Sequence, residues 1–243
     1  MSLSAIEWTN STWNPVTGCT KVSSGCEHCY AERMSLRLKA MGQARYRNGF
    51  RVTVHPNALR IPLGWSKPQM VFVNSMGDLF HREVPLDFIQ SVFEVMETAH
   101  HHIFQVLTKR AERLAELSPK LSWPSNVWAG VTVETQDYAW RLDCLREVPA
   151  AVRFVSFEPL LGMICNIPLR GVHWVIAGGE SGPHARPMKA EWARLIRDEC
   201  LAAGVPFFFK QWGGVRRTAA GRRLDGKVWA QYPMQASHGP TGA

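Results

Sequence analysis

No apolar run in the chain approaches 18 residues, which excludes a membrane-spanning helix. The opening stretch MSLSAIEWTNSTWNP has no basic n-region and no apolar h-region, so it does not read as a secretory signal. A cytoplasmic location is expected. Internal repeats and low-complexity tracts are missing, as are GxGxxG and GK[ST], the usual marks of dinucleotide and phosphate loops. Cysteine is sparse outside one stretch: Cys144, Cys165 and Cys200 are too dispersed for a disulfide frame or an auxiliary metal cluster. Acidic residues are in deficit, 20 against 28 Lys and Arg, leaving a net charge of +8. That balance suits a polyanionic partner such as nucleic acid, DNA before RNA. Part of the excess (Arg216, Arg217, Arg222, Arg223, Lys227) lies near the C-terminus.

With 243 residues and 46% apolar side chains, the chain can build a sizeable core. Short β-branched and aromatic runs recur at 70–74, 103–107, 127–133, Arg153–Phe157, 172–177 and 205–210. They are continuous rather than alternating, as expected for strands covered on both faces of a parallel sheet. Helical periods lie between them at 27–41, 85–99, 109–117, 136–146 and 189–203. Ala31, Met34, Leu38 and Met41 share one face of the first, Thr135 is the expected N-cap of the fourth, and Gly204 is the expected stop of the fifth. Repeated strand–helix units point to a partial or full parallel (β/α) barrel, with an open doubly wound sheet as the alternative. A single domain over residues 1–243 is expected, with a loop-rich insert at about 41–68 and an extension at about 213–243.

The densest chemistry sits in GCTKVSSGCEHCYAERM, where Cys19, Cys26 and Cys29 are spaced Cys-x6-Cys-x2-Cys. Three thiolates can hold three irons of a [4Fe–4S] cluster and leave the fourth open. The alternative is zinc on the three cysteines and His28, although His28 sits awkwardly between two ligands. A triad ending in CxxCY, running into a helix and then into βα units, resembles the radical-SAM superfamily. Most of its members space the triad Cys-x3-Cys-x2-Cys, and the longer first gap here departs from that. A closer resemblance is to a phage- and bacteria-associated family of uncharacterised proteins, named from phage gene products thirty-seven and sixty-eight. It is carried by WTNSTWNPVTGC, GCEHCYAERM, VFVNSMGDLF, LTKRAERL, SFEPLLG, AGGESGPHARPM and FFFKQWG, which span nearly the whole chain. The CxxCY segment is also similar to that of the spore photoproduct lyases, radical-SAM enzymes of DNA repair.

The resemblance implies a [4Fe–4S] cluster on the three cysteines and S-adenosylmethionine chelated at the open iron. It also implies an electron donor such as flavodoxin or ferredoxin, and a 5′-deoxyadenosyl radical that abstracts hydrogen from the substrate. Asn74, Ser75 and Asp78 follow a strand where such enzymes bind the methionine amino group; a turn cap is the plain alternative for Asp78. Among strand-end residues, Thr132, Glu134 and Glu158 are candidates because carboxylates on buried strands are unusual unless paired. Lys109 or Arg110 could pair with a carboxylate or phosphate. Gly178 and Gly179 would let backbone approach a ligand, and Glu180 could bind ribose hydroxyls or an amine. Lys210 is a candidate substrate contact, and Trp212 either stacks on a base or caps the barrel. Cys165 could donate a hydrogen atom or simply pack. Three functions compete: a radical-SAM enzyme acting on nucleic acid by DNA-lesion repair or base modification, one acting on a protein or metabolite, and a non-enzymatic zinc-bearing nucleic-acid-binding protein.

Overall fold

The computed structural model describes residues 6–216 and 220–234. In chain order the strands and helices are β1 (Ser11–Trp13), β2 (Val16–Thr17), α1 (Tyr30–Ala40), β3 (Thr53–Val54), β4 (Met70–Val73), α2 (Leu86–Thr98), β5 (Ile103–Thr108) and α3 (Ala111–Leu117). There follow β6 (Val127–Thr132), α4 (Arg141–Arg146), β7 (Arg153–Phe157), β8 (Trp174–Gly178), α5 (Ala190–Ala203), β9 (Phe207–Gln211), β10 (Arg223–Leu224) and β11 (Lys227–Val228). None of the helices described is long and apolar enough to cross a membrane.

Seven strands form one parallel sheet in the order β1-β4-β5-β6-β7-β8-β9. Each neighbour in the sheet is the next sheet strand along the chain. A doubly wound sheet reverses its order at a switch point; this one never does, so the open doubly wound alternative is excluded. Winding in one direction under the right-handed crossover rule curls the sheet into a partial barrel. Its edge strands β1 and β9 do not pair with each other among the described residues.

The two faces follow the period-two alternation of side chains. Val71, Val73, Val131, Val155, Val175 and Phe209 pack outward with Ile89, Phe93, Leu114, Leu142 and Ile196 of the helices. Met70, Trp128, Phe154, Trp174, Ile176 and Phe208 turn inward and gather around Trp8. Trp174 sits edge-on to Trp8, Trp128 and Phe208, with centroids 6.2, 5.9 and 6.1 Å away. Gly130 makes room for this floor, because a Cβ there would lie 2.4 Å from Phe154 Cζ.

Several local expectations change. The helix expected over 136–146 is broken into a 3-10 turn at Gln136–Tyr138 and the short α4. Thr135 is extended but makes no side-chain cap bond, and its Oγ1 is buried without a partner. The first helix begins after Cys29 rather than at residue 27, and it buries Ala31 and Ser35 while leaving Met41 61% exposed. With four charged residues in its eleven, α1 has too little apolar surface to follow the expected stripe inward. The expected stop holds: Gly204 ends α5 in the left-handed region at φ +65°. The insert is not wholly loop, since β3 pairs with β2 in a small antiparallel ladder. In the C-terminal extension, β10 and β11 form a hairpin with Leu224 buried. Arg217 and residues 235–243 of that extension lie outside the described residues.

Candidate functional site

The C-terminal ends of the strands form the mouth of the barrel, where ligands bind in folds of this kind. Along the inner face the apolar floor gives way to Thr132 and Ser156, then to Glu158 and Lys210. Glu158 Oε1 accepts from Lys210 Nζ at 2.5 Å. A Cβ at Gly178 would make ordinary contact with this pair, 3.5 Å from Glu158 Cδ and 3.4 Å from Lys210 Cβ. Gly179 has no such room: its Cβ would fall 2.0 Å from the Trp212 carbonyl oxygen.

The cysteine loop lies over this mouth and is fastened at several points. Gly18 N–H donates to the Met76 carbonyl at 2.9 Å, and Cys19 N–H to the Phe50 carbonyl at 3.2 Å. Arg110 Nη2 donates to Thr20 Oγ1 and O at 2.9 and 3.1 Å and lies 3.7 Å from Cys19 Sγ. Glu134, with a fully buried side chain, accepts from Ser23 Oγ at 2.5 Å, Lys109 Nζ at 2.6 Å and Arg141 Nη1 at 2.9 Å. Gly25 packs so closely on it that a Cβ would be 2.5 Å from Glu134 Cγ. On the far side, Arg186 donates to both oxygens of Glu180, at 2.6 Å to Oε1 and 2.9 Å to Oε2. It also reaches the Ser24 carbonyl and Glu27 Oε2, each at 2.9 Å. His28 Nδ1 lies 3.1 Å from Glu180 Oε2.

These partners set the charges. Burial works against ionised Glu134, but Lys109, Ser23 and Arg141 outweigh it and hold the carboxyl below its ordinary range. Burial likewise opposes Glu180, yet the hydrogen bonds from Arg186 and His28 bring it down to about 2. The thiols go the other way. Burial, with a smaller contribution from Asp78, pushes Cys19 up to about 11, and Arg110 only partly offsets it. Burial raises Cys29 as well, and both thiols feel the charge of Cys26.

The arrangement therefore presents three free, half-buried thiols in one loop. Bound positive charge would favour the thiolate forms of Cys19 and Cys29, which burial disfavours. Glu180 takes Nδ1 of His28 and leaves Nε2 open, as in many metal-bound histidines, so this contact does not count against a Cys3His zinc set. Among the described residues no three His, Cys, Asp or Glu side chains converge on a single ion. One tetrahedral zinc, with bonds of about 2.3 Å to sulfur, would require that convergence. Three thiols are also the donor set of an iron–sulfur cube, and the described geometry gathers them for neither group.

The other candidates are placed separately. Asp78 is buried and spends its oxygens on the end of β5 and on its own turn. It accepts from Thr108 Oγ1 at 2.7 and 2.9 Å, from Phe80 N–H at 3.0 Å and from Lys109 N–H at 3.4 Å. Asn74, at φ +62°, accepts from Val16 N–H at 3.1 Å, while its buried Nδ2 has no partner. Ser75 Oγ donates to Asn14 Oδ1 at 3.2 Å. Cys165 is not with the other thiols: it lies in the loop after β7, its N–H on Gln136 Oε1 at 2.8 Å. Trp212 packs on the outward-facing Phe209 and donates to the Arg223 carbonyl at 2.9 Å.

Ser23, Arg141 and Arg186 were not singled out from the sequence. Only Arg186 leaves a local signal, a cation six residues after Glu180 within one glycine-rich segment. The others meet Glu134 only through the fold.

An incomplete parallel (β/α) barrel with a three-thiol loop strapped across its mouth is the class that fold and site define. The chain belongs to the family described as "Protein of unknown function (DUF5131)", whose profile matches residues 3–233. No curated protein matches it. One solved structure is similar, a spore photoproduct lyase double mutant with bound AdoMet and dinucleoside spore photoproduct. Identity is 11% and the TM-score 0.46, over 77% of this chain and 59% of that one. The chain thus spans about three fifths of that protein's length, and the fold assignment here rests on strand order alone.

Proposed function

We propose that the protein is a radical S-adenosylmethionine enzyme acting on nucleic acid, DNA before RNA, in lesion repair or base modification. The observation that carries this reading is the trio Cys19, Cys26 and Cys29, free and half-buried in one loop above a polar barrel mouth. In this reading the three thiolates hold a [4Fe–4S] cluster with one iron left for S-adenosylmethionine. Bound there, the pair supplies one-electron cleavage of the sulfonium and a 5′-deoxyadenosyl radical. The chain's own residues bind, orient and exclude water. Asp78, Glu134 and Glu180 have spent their oxygens on protein donors, so they hold the loop and its cations in place. Asn74, with its free Nδ2, and Thr132, Glu158, Gly178 and Lys210 at the mouth are left to meet cofactor and substrate, while Gly179 admits the Trp212 backbone instead. The Trp and Phe floor closes the far end against water. Flavodoxin or ferredoxin is the proposed electron donor.

Anaerobic reconstitution with iron and sulfide tests the reading. A brown chromophore bleached by dithionite and release of 5′-deoxyadenosine are expected, and Cys19→Ala, Cys26→Ala and Cys29→Ala should each lose both. A colourless protein holding one zinc after the same treatment would overturn it. Cleavage without any nucleic-acid binding would move the substrate to a protein or a metabolite.

A further inference from the structure

The largest share of the excess positive charge lies in one part of the chain. Residues 30–68, which are α1 and the insert, carry eight Lys and Arg and a single acid, Glu32. The remaining residues hold twenty cations against nineteen acids, so they are almost neutral. Within the charged segment, Arg33 and Arg45 are tied to backbone carbonyls, and Glu32 faces Lys21 at 3.6 Å. Arg37, Lys39, Arg47 and Arg51 are exposed. None of the four pairs with an acid among the described residues. Elsewhere some exposed cations are paired; Arg194, for example, shares Asp225 with Arg197.

The fold also brings Lys39 and Arg51 to the site. The turn at Gly49 packs on α1, where a Cβ would meet Leu36 Cδ2 at 3.5 Å and Lys39 Cδ at 3.6 Å. A cavity of about 510 Å³ opens between them, lined by Lys39, Asn48, Phe50 and Arg51 on one side and by Cys19 and Thr20 on the other. Glu32 and Glu83 also line it. Phe50 lines the cavity together with Lys39 and Arg51, and Tyr30 is 58% exposed at the start of α1. Unpaired cations interleaved with aromatic rings are what a nucleic-acid strand needs, phosphates on the first and bases on the second.

We infer that the face formed by α1 and the insert at residues 44–54 is the nucleic-acid docking surface, gripping the phosphodiester backbone and leading it to the Cys19 side of the barrel mouth. This rests on the nucleic-acid reading above but not on the cluster, so it is testable on the protein as purified. The triple variant Lys39→Gln/Arg47→Gln/Arg51→Gln is compared with Lys120→Gln/Arg170→Gln/Lys227→Gln, which removes the same charge at exposed positions elsewhere. Binding to duplex DNA, single-stranded DNA and single-stranded RNA is titrated over a range of salt, with heparin as a non-nucleic polyanion.

Each lost phosphate contact lowers the log–log salt slope by about 0.9 on duplex and about 0.7 on a single strand. The first triple variant should therefore lose two to three units of slope and bind about tenfold or more weakly at roughly 0.1 M salt. The second should match the parent within about twofold. Lys39→Gln and Arg51→Gln alone should each remove about one unit, with melting temperatures unchanged. Equal slopes for the parent and the first triple variant would overturn the surface while leaving nucleic-acid binding intact. Tighter binding to heparin than to every nucleic acid would overturn it as well. No salt-dependent binding by the parent would end both this surface and the nucleic-acid reading, and 5′-deoxyadenosine release would then stand or fall by itself.

Discussion

The inner face of the barrel changes character within the length of a single strand. On β9, Phe208 belongs to the aromatic floor, and Lys210, two residues on and on the same side, reaches Glu158 at the mouth. On β6, Trp128 lies in the floor while Thr132 and then Glu134 follow at the other end. Both ends are buried, but by different physics. The floor is held by apolar area and ring contacts that need no particular partner. The mouth is held by charges, each of which must be matched atom by atom because an unmatched one costs several kcal/mol. The floor's contacts involve no residue of the cysteine loop, whereas the mouth is completed by it, since Ser23 and His28 are among the partners of Glu134 and Glu180. The chemistry of the site and the closure of the fold are therefore one set of contacts.

The largest effect should come from the floor. Trp174, fully buried among Trp8, Trp128, Phe154 and Phe208, should lose about 3–5 kcal/mol on replacement by Ala, read from urea unfolding. Labelling of the cysteine-loop thiols under native conditions should stay slow. A loss under about 1 kcal/mol would mean that the floor is not the core it resembles. Glu134→Gln should cost somewhat less, about 3 kcal/mol, by leaving Lys109 and Arg141 without their counter-charge. Here the thiols should react faster as Ser23 and Gly25 are released. If both variants speed labelling equally, the division between the two ends fails.

How much of this was legible in the chain follows from the same division. The strands from Met70 onward are continuous apolar runs, and β7 falls on Arg153–Phe157 as read. Their single direction of winding was not legible, because the next-neighbour order depends on packing. The short β1 has no apolar run and depends on side chains for its place: Met70 N–H donates to Asn10 Oδ1 at 2.9 Å and Val16 N–H to Asn74 Oδ1 at 3.1 Å. At the mouth, carboxylates on buried strand ends stood out as candidates because such groups need partners. The partners themselves did not stand out, since Ser23 and Glu134 are 111 residues apart.

Acid should loosen the mouth before the floor. Glu180 has a folded pKa depressed to about 2, so its contribution is complete above the ordinary carboxylate range and is lost as pH falls toward 2. The stability of the parent over Glu180→Gln should then be constant near neutrality and shrink as pH falls through that window, measured by chemical unfolding at each pH. A gap that stays constant down to pH 2 would show that Arg186 is not the partner that stabilises it.

The smallest effect concerns a residue whose chemistry goes unused. Thr135 stands where a helix cap was expected, but the chain turns through a 3-10 segment and its Oγ1 is buried without a partner. Such a hydroxyl costs desolvation and returns no hydrogen bond. Thr135→Val keeps the branched shape and removes that cost, so stability should stay within about 0.5 kcal/mol of the parent or rise slightly. Glu134, one residue earlier, allows no such change, because Ser23, Lys109 and Arg141 all depend on its oxygens. A loss above about 1 kcal/mol in Thr135→Val would show that the hydroxyl does cap the turn in solution, and would extend the matched polar contacts of the mouth one position further along the chain.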